Sequence, residues 1–390
     1  MIYSDFQGLK LSLLGFGTMR LPQKDGAIDE ARVAAMTEYA MAHGVNYFDT
    51  AYPYHGGNSE RVMGRVLAKY PRESFYLATK YPGHQIMSKH DPKGIFEEQL
   101  EKCGVEYFDF YLLHNVCENS IATYEDPRWD IIGYFLEQKR LGRIRHLGFS
   151  THSGTAFLEE FCAKYGKDME FCQIQLNYVD ETLQQAGEKV NILNKYGIPI
   201  WVMEPVRGGK LAKITDEQQA KLDAVTPGRT PAQWAFRWLQ GVNGVSVVLS
   251  GMSDEAQMED NCATFDAPAS LSGEETAALA ALAEEMKAAV PCTACRYCCD
   301  GCPMGLDIPN LLAMYNDLRY VASFNVGMRI DALPDEKKPS ACVNCGRCSA
   351  ICPQHIDIPA ALADFTDRLA KTPSWAAICK EREEAAKKKG

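Results

Sequence analysis

Residues Asn46–Glu60 read NYFDTAYPYHGGNSE, and this stretch has the form of a strand end: an aromatic run leads into Asp49, and Tyr54 follows five residues later. Two similar ends come next, FYLATK closing on Lys80 and FDFYLLHN carrying His114. Working outward, short apolar or aromatic runs alternate with longer amphipathic stretches as far as about residue 265, the pattern of parallel strands joined by helical crossovers. Strands are predicted over Leu11–Gly17, Asn46–Ala51, Phe75–Lys80, Phe108–Asn115, Ile144–Ser150, Cys172–Asn177, Ile198–Glu204 and Val245–Gly251. Eight such units favour a (β/α)8 TIM barrel, which commonly takes about 250 residues. No Gly-x-Gly-x-x-Gly follows the first strand, which removes the usual mark of an open dinucleotide-binding sheet.

The chain has 390 residues, so an appendage is expected beyond the barrel. The division predicted is a barrel over 1–270, a linker helix over 271–290, a small, mainly helical, cysteine-rich domain over 291–370 and a charged tail over 371–390. In the linker, Ser272 and Glu275 stand three apart ahead of an Ala-rich run, a capping-box pattern. A net charge of −10 argues against a nucleic-acid partner, since that affinity rests on clustered Lys and Arg. No stretch approaches the roughly 20 apolar residues needed to span a bilayer, and the N-terminus lacks a signal-peptide pattern, so a cytoplasmic protein without a membrane partner is expected.

Fifteen cysteines are too many for an ordinary cytosolic chain, and their placement is informative. Cys103, Cys117, Cys162, Cys172, Cys262 and Cys379 are scattered singly and read as small buried hydrophobes. The others fall in a repeat: Cys292, Cys295, Cys298, Cys302 and Pro303 recur fifty positions later as Cys342, Cys345, Cys348, Cys352 and Pro353. Each half reads C-x2-C-x2-C-x3-C-P. Three closely spaced thiolates can face one cubane, whose fourth ligand comes from elsewhere. Zinc sites more often use paired C-x2-C motifs or histidines. Cys299 breaks the repeat, its counterpart being Ser349, and is expected to point away from the cubane.

The two motif sets together give a resemblance. Asp49, Tyr54, Lys80 and His114 match the tetrad of the aldo-keto reductase family in order, type and position, and the cysteine repeat resembles a ferredoxin-like module with two [4Fe-4S] clusters. The resemblance implies that Tyr54 is the proton donor, Lys80 its activator, Asp49 the residue that orients Lys80, and His114 a hydrogen-bond donor to a substrate carbonyl. A free phenol, with a pKa near 10, gives up its proton reluctantly at neutral pH, and a neighbouring ammonium makes it more acidic. For the clusters the resemblance implies crossed ligation, Cys292, Cys295, Cys298 and Cys352 on one and Cys342, Cys345, Cys348 and Cys302 on the other.

The same resemblance implies a nicotinamide dinucleotide, NAD(H) or NADP(H). GFST offers Ser150 and QIQLN offers Gln175 to the carboxamide, while Met203 stands where the family places a stacking aromatic, and Thr151 where it places Asn. In EPVRGGKL, Arg207 and Lys210 are either phosphate contacts or a solvated loop. In SGMSDEAQMEDN, Ser253, Gln257, Asp260 and Asn261 are candidate adenosine contacts, and the absence of basic residues there favours NAD(H). The expected function is hydride transfer with a small carbonyl or alcohol substrate, the clusters exchanging electrons, with an external electron-transfer protein as a further partner. Two alternatives stay open at this point: a flavin in the barrel that splits electron pairs, and a non-catalytic redox sensor.

Overall fold

The computed structural model describes residues 1–390 except 86–88, 119, 287–289, 321–325, 327–329, 332 and 372–390. The predicted tail and Cys379 therefore lie outside the described residues. The chain divides into two compact units, Met1–Ala283 and Glu284–Gly390.

In the first unit twelve strands are formed: β1 (Tyr3–Phe6), β2 (Leu9–Ser12), β3 (Leu14–Gly17), β4 (Gln23–Lys24), β5 (Ala27–Ile28), β6 (Tyr47–Asp49), β7 (Tyr76–Tyr81), β8 (Phe108–Leu113), β9 (Ile144–Thr151), β10 (Cys172–Gln175), β11 (Ile200–Met203) and β12 (Val245–Ser250). Eight of them close a barrel in the order β3-β6-β7-β8-β9-β10-β11-β12, and each pairing is parallel. All eight predicted strands are present. Every residue of β8 is buried, as a strand covered on both faces requires.

The run predicted as one strand over Leu11–Gly17 is two. Leu9–Ser12 pairs antiparallel with Tyr3–Phe6 in a hairpin, and only Leu14–Gly17 enters the barrel. The hairpin turns on Gln7 and Gly8, both left-handed with φ of 50° and 86°, which is the two-residue geometry that matches strand twist. Its Phe6 packs against Phe110, Phe171 and Trp201, ring centroids 5.1–6.5 Å away, within the apolar cluster that also holds Tyr47 and Leu112. A second, larger cluster lies between the strands and the surrounding helices. Cys103, Cys162, Cys172 and Cys262 are buried in it, as expected. Cys117 is not: it is half-buried in the loop after β8, its Sγ 3.6 Å from Ser120 Oγ.

The helix Gly273–Met286 begins at the predicted reciprocal cap, Glu275 N donating to Ser272 Oγ and Ser272 N to Glu275 Oε2. In the second unit, helices Ile308–Tyr320 and Ile358–Ala370 pack through Leu311, Leu312, Tyr315, Leu362 and Phe365, and this core includes Cys292, Cys298, Cys348 and Cys352. Among the described residues, no helix is long and apolar enough to cross a membrane.

Candidate active site and cysteine sites

Parallel closure sets the C-terminal ends of consecutive strands side by side, so Asp49 at the end of β6, Lys80 in β7 and His114 just after β8 meet at one mouth of the barrel. Lys80 Nζ, fully buried, donates to Asp49 Oδ1 at 2.5 Å and to the Thr50 carbonyl at 2.7 Å. Burial pushes the Asp49 carboxyl up and the Lys80 amine down, and each is pulled back by the charge of the other. Tyr54 stands on the loop after β6, its ring centroid 5.2 Å from Lys80 Nζ and 6.1 Å from the His114 ring. The four residues singled out in the sequence are therefore neighbours.

Behind Lys80 lies a buried polar network absent from the sequence reading. Glu60 Oε1 accepts from Thr79 Oγ1 at 2.6 Å and from Gln99 Nε2 at 2.7 Å, and Gln99 also donates to the Lys80 carbonyl. The charge of Glu60 helps to hold the Lys80 amine protonated.

His114 has two histidine neighbours. His84 follows β7 and His152 follows β9, so consecutive strand ends carry imidazoles. The His84 and His114 rings are 4.4 Å apart, and His84 Nδ1 donates to the His114 carbonyl at 3.1 Å. Tyr124 Oη donates to that same carbonyl at 2.6 Å and thereby pins the loop. Burial, with Lys80 and the other histidines, pushes His114 well below the ordinary imidazole range. Burial takes His84 to about 4 and, with Lys189 nearby, His152 to about 3. All three are neutral at pH 7.

The other half of the mouth is built from β9 to β12. Ser150 Oγ accepts from Asn115 N at 2.9 Å. Gln175 and Met203 are register partners on β10 and β11, but the Gln175 amide donates to Asp180 at 2.6 Å and its side chain also bonds His152. Arg207 is not part of a solvated loop: it is buried, its Nε 3.2 Å from Asp180. Lys210 is half-buried on the same turn. Arg20, which the sequence reading missed, lays its alkyl chain against Gly251 and shares the electrostatics of Glu204. The Nη2 atoms of Arg20 and Arg207 are buried and have no partner among the described residues, the condition expected where an anionic group belongs. The signal for Arg20 was long-range, since β3 and β12 are neighbours only in the closed barrel.

The turn after β12 is largely self-satisfied. Asp254 accepts from Gln257 N, Gln257 Oε1 accepts from Ser253 N, and Ser253 Oγ donates to the Arg20 carbonyl. Asn261 is buried and donates to Ser250 Oγ, whereas the Asp260 carboxylate is taken up by Thr230 and Gln233 at the start of the helix Pro231–Leu239. Of the expected adenosine contacts, Asp260 thus has both carboxylate oxygens engaged by the side chains of that helix's capping box. Four non-glycine residues of the mouth loops, His55, Asn115, Glu204 and Arg207, have φ between 48° and 57°, a concentration of backbone strain of the kind found at functional sites.

In the second unit, Cys302, Cys342, Cys345 and Cys348 line one small cavity, together with Val343, Leu306 and Ile308. This is the crossed set, three cysteines of the second run with the last of the first. Cys292, Cys295 and Cys298 lie close enough to act on one another electrostatically, and Cys352 shares the core with Cys292 and Cys298. The four-thiol donor set and apolar lining of the first place fit a cubane cluster, and the other set is its counterpart in the repeat. Ser349, the counterpart of Cys299, accepts at Oγ from Ile358 N at 2.9 Å, and Cys299 stands in the same place, its thiol acting electrostatically with Cys298 and the Ile308 N–H.

The Aldo/keto reductase family model matches residues 13–284, and a 4Fe-4S dicluster domain model matches 291–357. Among curated proteins, the NADH-specific methylglyoxal reductase of Escherichia coli K12 is 27% identical over 225 residues, 52% of this chain and just under two thirds, 66%, of that protein. L-galactose dehydrogenase of Arabidopsis thaliana is 24% identical over 280 residues, covering 66% of this chain and 85% of that one. A solved aldo-keto reductase from Bacillus halodurans, in its holo form, superposes with a TM-score of 0.58 at 25% identity over 70% of this chain and 93% of its own.

Proposed function

The chain belongs to the aldo/keto reductase family of oxidoreductases and carries a 4Fe-4S dicluster domain, and on that footing we propose that its barrel transfers hydride between a nicotinamide dinucleotide and a small carbonyl or alcohol. The observation that carries the proposal is the buried Lys80–Asp49 pair beside Tyr54. When bound, the dinucleotide supplies or accepts the hydride. The chain's residues do the rest. In the reducing direction Tyr54 gives its proton to the oxygen that becomes the alcohol, and the Lys80 ammonium makes that release easier by favouring the phenolate. Asp49 keeps Lys80 charged and aimed. His114, neutral, offers its one N–H to the carbonyl oxygen.

The buried, unspent nitrogens of Arg20 and Arg207 are suited to the pyrophosphate. Ser150 and Gln175 stand by the carboxamide end, Gln175 by exchanging its bond to Asp180. Asp254 disfavours a 2′-phosphate, and the Escherichia coli relative is NADH-specific, so NAD(H) is the preferred form in this reading. The eight repeat cysteines would hold two [4Fe-4S] clusters that exchange single electrons with an external carrier protein.

Tyr54→Phe tests the proposal. Turnover should fall by about 10²- to 10⁴-fold, the range for loss of a general acid, while nucleotide binding and iron content are retained. Undiminished turnover would remove Tyr54 from the reaction. Anaerobic addition of NADH or NADPH, with cluster absorbance followed near 400 nm, asks separately whether the two cofactors share electrons; structured bands of a flavin in the same spectrum would replace the direct hydride scheme.

A further inference from the structure

The internal duplication lets each half of the second unit be measured against the other. Their cysteine loops have the same backbone: Ala294 and Asn344 (φ 59° and 53°), Arg296 and Gly346 (67° and 72°), and Gly305 and His355 (57° and 50°) stand at matched positions and are all left-handed. The short helices Tyr297–Asp300 and Arg347–Ala350 follow in the same places. A difference between the halves must therefore come from side chains.

One such difference falls directly after the first cysteine of each run. Val343 is 58% exposed and lines the cavity of Cys302, Cys342, Cys345 and Cys348, and Cys345 beside it is itself exposed. The repeat sets Thr293 at the equivalent position toward the other cysteine set. Thr293 is 1% exposed, and its hydroxyl has no hydrogen-bond partner among the described residues. A buried hydroxyl is normally bonded, so an acceptor belongs there, and Thr293 stands in sequence between Cys292 and Cys295.

We propose that the Thr293 hydroxyl donates a hydrogen bond to a sulfur of the cluster held by Cys292, Cys295, Cys298 and Cys352, so that the two clusters differ in reduction potential. This rests on the reading that both cysteine sets hold clusters. Reduction adds negative charge to the cluster sulfurs, and a donor aimed at them stabilises that charge and raises the potential. Burial acts the other way, because added charge is disfavoured in a low dielectric. Without Thr293 the shielded cluster would be the harder one to reduce. With it, the shielded site gains affinity for the electron that an external one-electron carrier, oxidised by one electron, hands over at the exposed site.

The experiment is a potentiometric titration of the anaerobically purified full chain, read by electron paramagnetic resonance. Two separable one-electron steps are expected. Thr293→Val, which keeps the shape and removes the donor, should lower one step and leave the other; Thr293→Ser should restore it. Val343→Lys, which brings a positive charge to the exposed site, should raise only the other step and so assign both. If Thr293→Val carries its full iron and both steps stay in place or move together, the proposal is overturned. Should that variant lose iron, Thr293→Ser compared with Thr293→Ala decides on the same criterion. A wild-type iron content short of two clusters would overturn the cluster reading beneath it.

Discussion

An Asp49→Asn substitution keeps the shape of the side chain, removes its charge and leaves the buried Lys80 ammonium to the Thr50 carbonyl. Opposite unit charges 2.5 Å apart attract by roughly 7 kcal/mol at an effective dielectric of about 20. Part of that attraction is offset by desolvation, and breaking a buried pair costs about 3–5 kcal/mol because the survivor is uncompensated. Lys80 can avoid this cost by releasing its proton. Burial already pushes its pKa down, and Asp49 is the larger of the two charges that pull it back. Losing that pull lets burial push the Lys80 pKa further down. Lys80 must be protonated to acidify Tyr54, so reduction is lost as pH rises through the Lys80 pKa. The alkaline limb of kcat/KM should therefore move to lower pH in the variant. The assay is carbonyl reduction across pH for wild type and variant, with nucleotide affinity as the control for folding. An alkaline limb that stays in place while nucleotide binding is intact would refute the role given to the pair.

Three further substitutions probe the frame around the site. Gly64→Ala improves intrinsic helix propensity yet would bring a Cβ within 2.6 Å of the Lys102 carbonyl, so it should destabilise by about 1–3 kcal/mol in chemical denaturation; a neutral or stabilising result would mean that the helices Asn58–Leu67 and Pro92–Cys103 can separate. The Glu170 carboxyl is raised by burial, but hydrogen bonds from His146, Lys139 and Gln7 outweigh this and hold it at about 2. Its contribution is present above the free value and is lost as pH falls toward about 2, so Glu170→Gln should cost on the order of 1–2 kcal/mol at pH 7, after discounting for solvent screening, and nothing near pH 2. Burial lifts the Glu204 carboxyl to about 7, so the unfolded chain ionises first and the Glu204 contribution to stability declines from pH 4.5 to about 7. Glu204→Gln should remove that decline, worth roughly 2–3 kcal/mol at pH 8, and a thermal-unfolding profile with the same pH slope in both proteins would show that Glu204 is not the group responsible.

Much of the molecule was legible because its signals are local. Strand ends at Asp49, Lys80 and His114, the cap at Ser272 and the fifty-residue repeat all lie within a few positions of what identifies them. What escaped the sequence reading depends on closure of the barrel. Arg20 reaches Gly251 only because β3 pairs with β12, and Arg207 turns inward only because Asp180 waits on the neighbouring loop. Asp260 was read as a ligand contact, and its carboxylate accepts from Thr230 and Gln233, the capping-box residues of a helix about thirty residues earlier. The first strand was read as one run because Leu9–Ser12 and Leu14–Gly17 are both apolar in alternation, and nothing local marks the change of partner between them.

The titration of the mouth bears on how the proposed reaction divides its labour. A tyrosine and a histidine side by side could both serve as acids, and a protonated imidazole, with its lower pKa, would outcompete a phenol. Here the environment prevents this. Burial, Lys80 and the flanking imidazoles keep His114 from carrying a proton to spare at neutral pH. The same Lys80 ammonium that opposes charge on His114 favours negative charge on Tyr54. In the proposed reaction one buried cation would thus separate the two roles, leaving Tyr54 to exchange the proton and His114 to donate a hydrogen bond without giving it up.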